Sequence, residues 1–372
     1  MKFNIEKNDL LHGLRMVEKI TVQRGIQPVL ANILIEAVDG RTLKFTSTDL
    51  DILIEGHIKA NIKAEGSITL PAKKLLEIVS KLPDKTINFV LGENNIVEIT
   101  CGNSKFDIVG IDAAEFPTIL DEELLNSSDK IEIEIKPFLK AVKQTVFSTA
   151  SYDTNNILSG VYCKIINNEL EMAATDGNRL SRVIEKVETV ENKDISVVIP
   201  SKTLNEVTRL MMDSEDEKFF IVVKKGQILF QLDDRILLSR LLEGQYPKYQ
   251  QLIPEKGEKI AVVDREELIA ALDRVSTMVN ERTSIVKFTF ADNKLLLKAD
   301  TSDAGSSMDL VEVEYKEEEL IIAFNYKYVL ESLKIMDSEK VRVDLSSSLS
   351  ATLFKPYNDE NYICLVMPVQ IR

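Results

Sequence analysis

Histidine is scarce in this chain: of its 372 residues only His12 and His57 are of this type. Histidine-based acid–base catalysis therefore has few candidates. No glycine-rich phosphate loop and no strand-to-helix nucleophile elbow is present either. The three cysteines, Cys101, Cys163 and Cys364, lie in apolar, strand-like stretches. They are too few and too scattered for a disulfide framework, and read as small buried hydrophobes of a reducing cytoplasm. Long apolar runs are missing as well. Ile363 to Val369, one of the longest, falls far short of the ~20 residues that cross a bilayer. Residues 1–6 alternate in polarity instead of forming an apolar block, so no signal peptide is expected. Positive charge is short overall, with 46 basic against 60 acidic residues and a net charge of −14. Binding to phosphates needs a positive footprint. Such a chain can meet nucleic acid only if its cations are sorted onto one surface.

What the chain does contain is internal repetition. Three segments read as a strand running into an amphipathic helix: Phe3 to Leu14, Ile131 to Val142 and Ile260 to Leu272. A second strand-then-helix signal follows each, at Ser67 to Leu76, Ser196 to Leu204 and Leu320 to Leu330. These second helices end near Leu82, Met211 and Met336, at spacings close to one third of the chain. A turn interrupts alternating strands at matching places: Ser47 to Asp51, Ala174 to Leu180 and Ala299 to Asp303. Polar stretches at Asp121 to Lys130 and Pro254 to Lys259 mark boundaries. The expected domains are 1–125, 126–254 and 255–372, each an α+β layer of two helices over an antiparallel sheet.

The six predicted helices sort their charge. Apolar stripes such as Leu10, Leu14 and Val17, or Leu139, Val142 and Val146, oppose outward cations. Those cations include His12, Arg15 and Lys19 on the first helix, and Lys74 and Lys81 on the second. Lys136, Lys140 and Lys143 follow on the third, Lys202 and Arg209 on the fourth, and Lys327 and Lys334 on the sixth. The fifth helix is the exception, with Arg274 nearly its only outward cation. A single lysine-rich face is ordinary solvated surface. Equivalent helices in repeated units, however, should reach equivalent surfaces and could line phosphates together. No Arg, Asn or Gln cluster suits base-edge readout, so any contact with duplex DNA should ignore sequence.

The opening Met1-Lys2-Phe3, the run Leu70 to Lys74, Ala174 to Leu180 and the ending Val366 to Val369 resemble the bacterial β sliding clamps, the β subunits of DNA polymerase III. Phe116-Pro117 and Gly244 to Tyr249 carry the same resemblance, which spans the chain in order. It implies three tandem clamp domains closing into a ring as a head-to-tail homodimer around duplex DNA. It implies a processivity factor without catalysis, metal or cofactor, in the cytoplasm at the nucleoid. Arg24 matches a DNA-contacting arginine of the family, whereas Tyr152 stands where a polar amide is usual. The resemblance also implies a cleft for short hydrophobic peptides of the replicative polymerase α subunit, the clamp loader, other polymerases and repair proteins. Its residues map to Leu158, Thr175, Gly177, Arg179, Leu180, Pro247, Leu252, Leu349, Val366, Met367 and Pro368. Asn178, Gln251 and the Gln370-Ile371-Arg372 tail depart from the usual pattern and bear on partner preference. Ring closure maps to Phe106 and Ile108 on one side and Thr277 and Met278 on the other, with Phe106 alternatively a core aromatic.

Two other readings compete. Asp49, Asp51, Asp176 and Asp300 could supply metal-binding carboxylates. They fall in corresponding turns of different repeats, far apart, whereas a two-metal site needs ions ~3.5–4 Å apart. A diverged paralogue could instead keep the peptide cleft and never encircle DNA. Retention on nicked circular DNA separates that scaffold from a ring.

Overall fold

The structure is a computed structural model that describes residues 1–22, 27–117, 122–151, 156–188, 194–254, 257–280, 282–301 and 305–370. Its helices are α1 (Lys7–Val17), α2 (Ala72–Lys81), α3 (Glu122–Leu125), α4 (Ile135–Thr145), α5 (Ser201–Met212), α6 (Arg265–Ser276) and α7 (Tyr326–Ile335). Apart from the short α3, the element order repeats three times. Each repeat is a strand, a helix, a run of antiparallel strands, a second helix and further strands. The first repeat adds the short strand Asn61–Ala64. The triplicate expected from the sequence is therefore present in the backbone.

Local chemistry explains the repetition. The first hairpin after the opening helix turns on two left-handed residues in each repeat: Asp39 and Gly40, Asn167 and Asn168, Asp292 and Asn293. Paired left-handed residues fit the right-handed twist of the flanking strands, and Asn, Asp and Gly tolerate that conformation best. Two helices of the third repeat carry side-chain caps. Asp264 accepts from the Glu267 N–H at 2.9 Å, and Asn325 accepts from the Lys327 N–H at 3.1 Å. Both satisfy donors that a helix start leaves open.

The chain forms two compact units, one of residues 1–135 and 206–241, the other of 136–205 and 242–372. The first unit holds a five-stranded sheet that ends on Ile96–Cys101 and the edge strand Ser104–Val109. It also holds an eight-stranded sheet in which Ile52–Lys59, from the first repeat, pairs with Arg235–Arg240, from the second. The expected polar linker beginning at Asp121 is only partly a linker. Its α3 inserts Leu124 into a core with Leu53, Val222, Leu229, Ile236 and Leu238. Full burial of such a side chain contributes about 1.5–3 kcal/mol, so the segment helps hold the joined sheet.

The second unit holds a twelve-stranded sheet. Within it Arg179–Lys186, from the second repeat, pairs with Tyr362–Val366, from the third, with Leu180 opposite Leu365 and Arg179 opposite Val366. Sheets thus run across repeat joints instead of closing within each repeat. Leu320–Asn325 forms one edge of this sheet. The expected α4 stripe shifts slightly: Phe138, Ala141 and Val142 are the buried residues, while Leu139 and Val146 are only half-buried.

Candidate functional site

The turn from Thr175 to Arg179 organises the predicted peptide cleft. The Asp176 carboxylate accepts the N–H groups of Asn178 and Arg179 at 2.9 and 3.1 Å through one oxygen. The Thr175 hydroxyl donates to the Arg179 carbonyl at 2.6 Å and accepts the Gly177 N–H at 3.1 Å. Gly177 has φ +91°, a conformation that side chains with a Cβ disfavour. The Asn178 carbonyl then accepts the Met367 N–H at 2.8 Å, and the Ala323 carbonyl accepts that of Val369 at 2.8 Å. The C-terminal tail is pinned at two points, so Met367 is held beside the turn.

Behind the turn lies an apolar cluster of Ala173, Leu180, Val198, Tyr246, Tyr249, Leu353, Ile363 and Leu365, with half-buried Leu158 and Tyr162 packed on it. The predicted residues divide into two roles. Thr175, Arg179, Leu180 and Val366 are buried and form a floor. Leu252, Leu349 and Met367 stand 56%, 60% and 42% exposed, a large apolar display for a folded chain. Pro247 is exposed and Pro368 half-buried. Leu349 also lines a hollow of about 500 Å³ beside Ile321, Val369 and Gln370.

Sequence reasoning missed the aromatic support. Tyr162 stacks on Tyr246 at 5.6 Å between ring centres, and Tyr249 adjoins both. The Tyr246 hydroxyl accepts the Thr175 N–H at 3.2 Å, and that of Tyr249 donates to Glu171 at 2.8 Å. Burial pushes both phenols well above their usual range, which keeps them protonated as neutral partners. Also missed were Phe147 and Tyr328, whose rings lie 5.4 and 4.6 Å from the Arg179 guanidinium. The Gly244 to Tyr249 segment held the tyrosine signal. No spacing in the sequence pairs Arg179 with α7.

The helix cations are less free than their helical spacing implied. Lys74 and Lys81 both reach Glu77, at 3.2 and 3.0 Å, and those hydrogen bonds, the Lys81 one foremost, hold the Glu77 carboxyl below its usual range. Lys140 pairs with Glu185 at 2.6 Å, and Lys143 lies 4.0 Å from Asp337. Lys202 is half-buried, with a polar partner of its own. Arg209 also has partners within the fold. Its guanidinium binds Glu206 at 2.9 Å and the carbonyls of Arg15 and Met16 at 3.2 and 2.7 Å. It therefore satisfies carbonyls that the end of α1 leaves open. Arg24 and Tyr152 lie outside the described residues.

The predicted ring-closing residues sit on or beside sheet edges. On the edge strand Ser104–Val109, Phe106 and Val109 are exposed, whereas Ile108 is buried at 7% and belongs to the core. Thr277 is exposed and Met278 half-buried just beyond α6. The Met278 carbonyl accepts the Thr301 hydroxyl at 2.5 Å, and its methyl group comes close to Gly305. Gly305 opens the strand Gly305–Glu314, which pairs along its length with Lys294–Thr301 but, among the described residues, on its other side only through Val313 and Glu314. Met308 and Leu310 on this open stretch are 74% and 54% exposed. The sequence reading missed them.

Asp49 and Asp176, two of the carboxylates weighed as metal ligands, hold backbone turns. Asp49 caps a turn by accepting the N–H groups of Asp51 and Ile52, as Asp176 does in its own repeat. Among the described residues no group of three or more His, Cys, Asp or Glu side chains could hold a metal ion. Burial pushes the Cys163 thiol up to about 12, which suits a core residue and not a nucleophile. Among the described residues no helix is long and apolar enough to cross a membrane.

Comparison with known proteins agrees along the whole chain. Residues 1–120 match the N-terminal domain of the DNA polymerase III beta subunit, 132–248 its central domain and 250–370 its C-terminal domain. The beta sliding clamp of Synechococcus elongatus is 33% identical and that of Bacillus subtilis 32%, each alignment covering both chains completely. A solved structure of the DNA polymerase III subunit beta from Pseudomonas aeruginosa bound to griselimycin superposes with a TM-score of 0.93 at 28% identity over the whole of both chains. With three tandem α+β repeats and this full-length agreement, the chain belongs to the DNA polymerase III beta subunit family, the beta sliding clamps.

Proposed function

We propose that this sliding clamp, a processivity factor of DNA polymerase III, works as a closed ring of two copies joined head to tail around duplex DNA. Two open edges with exposed apolar residues carry the reading: Ser104–Val109 with Phe106, and the stretch from Gly305 with Met308 and Leu310. An edge strand left open invites pairing with another chain. Two different edges on one chain give a heterologous contact, which makes a ring when the rotation closes. Thr277 and Met278 flank the second edge. Domains at 1–125, 126–254 and 255–372 would then supply six similar segments to the ring.

Lys74, Lys81, Lys140, Lys143 and Lys202, together with Arg24, are the proposed DNA-facing cations. Most hold a carboxylate partner, so the surface is only mildly positive. A weak, sequence-independent attraction tethers without stalling movement along the duplex. The clamp itself performs no chemistry and needs no cofactor. It acts by holding partners at the DNA, in the cytoplasm at the nucleoid. The proposed partners are the polymerase α subunit, the clamp loader, other polymerases and repair proteins. Each would insert a short hydrophobic peptide over Leu158, Thr175, Gly177, Arg179, Leu180, Pro247, Leu252, Leu349, Val366, Met367 and Pro368. Exposed apolar walls over a rigid polar turn suit such extended anchors.

Solution mass and topology test the proposal together. A dimer of about 84 kDa, twice the 42.0 kDa chain, should be retained on nicked circular DNA and released when the DNA is linearised. Phe106→Ala combined with Met308→Ala should shift it to monomer. A stable monomer in the parent protein, or equal retention on linear DNA, would remove the ring reading.

A further inference from the structure

We infer that Glu331, on α7, is a positioning residue for the partner cleft, acting through Arg179; the inference rests on the cleft reading above. Arg179 is nine-tenths buried, and each nitrogen of its guanidinium donates a hydrogen bond. Nε donates to Asp176 at 3.0 Å, Nη2 to the Phe147 carbonyl at 2.5 Å, and Nη1 to Glu331. Phe147 and Tyr328 flank the group. A planar cation with fixed donors can be aimed by its partners in a way that a lysine cannot.

The main chain of the same residue closes the cleft turn. Its N–H is held by Asp176 and its carbonyl by Thr175. Side chain and backbone of Arg179 therefore grip one five-residue turn. The next link is Asn178, whose carbonyl holds the Met367 N–H. A change at Glu331 thus reaches Met367 through Arg179, Asp176 and Asn178 by direct hydrogen bonds.

Glu331 differs from the other partners of Arg179. Its side chain is 49% exposed, against 14% for Asp176. Only the Glu331 side of the pair is exposed, and Arg179 keeps Asp176 as a counter-ion when Glu331 is removed. Removal of Glu331 should therefore spare folding while freeing Nη1 and loosening the aim of the guanidinium. That separation distinguishes positioning from simple structural support.

Griselimycin, the ligand of the solved Pseudomonas aeruginosa clamp, is the probe, titrated into the full-length protein. Glu331→Ala should weaken binding about tenfold, while Glu331→Gln, which keeps an acceptor oxygen at the same reach, should lose less than about threefold. Melting temperatures of both should stay within about 2 °C of the parent. In an Arg179→Met background, Glu331→Ala should cause no further loss, because its route is already cut. Met367→Ala is the control for the cleft itself. Weakening by Met367→Ala with none by Glu331→Ala overturns the role of Glu331. No weakening by Met367→Ala overturns the cleft reading and this inference with it. A large drop in melting temperature for both Glu331 variants makes the residue a structural support, and also overturns the inference.

Discussion

The turn from Thr48 to Ile52 in the first repeat and that from Thr175 to Arg179 in the second share one hydrogen-bond plan. In each, a threonine hydroxyl donates across the turn, to the Ile52 carbonyl at 2.7 Å or the Arg179 carbonyl at 2.6 Å. In each, an aspartate oxygen collects two backbone N–H groups. The central residue is left-handed in both, Leu50 at φ +81° and Gly177 at φ +91°. The difference lies in what the scaffold carries. Leu50 holds a bulky side chain in a conformation that L-residues avoid, and Ile52 is a plain core residue. Gly177 removes both strain and bulk, and Arg179 replaces the apolar side chain with a hydrogen-bonded, ion-paired cation. One fold element thus carries a plain core side chain in one copy and a buried, ion-paired cation in the other.

The comparison breaks most sharply at its closing residue. Arg179→Met should cost about 3 kcal/mol in denaturant unfolding, since it strips a largely buried Asp176 of its cation. Ile52→Met keeps an apolar side chain of similar volume and should cost less than about 1.5 kcal/mol. Equal losses would mean that the guanidinium contributes only bulk.

Thr175→Val and Thr48→Val remove the same pair of hydrogen bonds, so each should lose about 1 kcal/mol or somewhat more. If the cleft proposed above takes griselimycin, only Thr175→Val should also weaken its binding, which a titration beside the unfolding curves would read. Loss of binding in both would place the ligand somewhere other than the second turn.

Exchange of the central residues should move stability in opposite directions. Gly177→Ala meets no atom within 4 Å, so its penalty is conformational, about 1 kcal/mol. Leu50→Gly relieves the same conformation and should gain somewhat less, because glycine also enlarges the unfolded ensemble. Thermal melts of the two variants check both signs.

The smallest effect concerns acid. Three residues past Ile52 stands Glu55, where the second repeat has Arg182, paired with Glu171 at 3.0 Å. Burial raises the Glu55 carboxyl, but His57 at 2.7 Å and Lys44 at 3.3 Å outweigh it and hold it below the usual 4.5. A folded value below the unfolded one means stabilisation that is complete above the unfolded value. It is lost as pH falls through the lower, folded value. Stability should therefore decline below roughly pH 4.5, and Glu55→Gln should flatten the decline. Arg182 stays charged throughout and adds no such slope.

The threefold plan, the apolar stripes and the outward lysines were legible because periodicity and turn chemistry are local. Leu158, Thr175, Gly177, Arg179 and Met367 came from a resemblance spread along the chain, and their role in binding is a proposal. The joining of Ile52–Lys59 to Arg235–Arg240 was not legible, since strand pairing depends on partners far apart in sequence. Nor were the capping role of Arg209, the core position of Ile108 or the exposed Met308 and Leu310. An arginine at helical spacing looks the same whether it meets solvent or another helix end.

By itself, then, the sequence determined three copies of one α+β unit, the two-residue hairpins that shape them and the outward cations on most of its helices. These follow from propensities and patterns that each segment carries alone. Tertiary structure decided which copy of the Thr-Asp turn sits beside the exposed Met367. It brought Phe147, Tyr328 and Glu331 around Arg179, and pinned Met367 to Asn178. Those contacts join residues more than thirty positions apart, and one of them 152 apart. Only chain closure in three dimensions can set such a geometry.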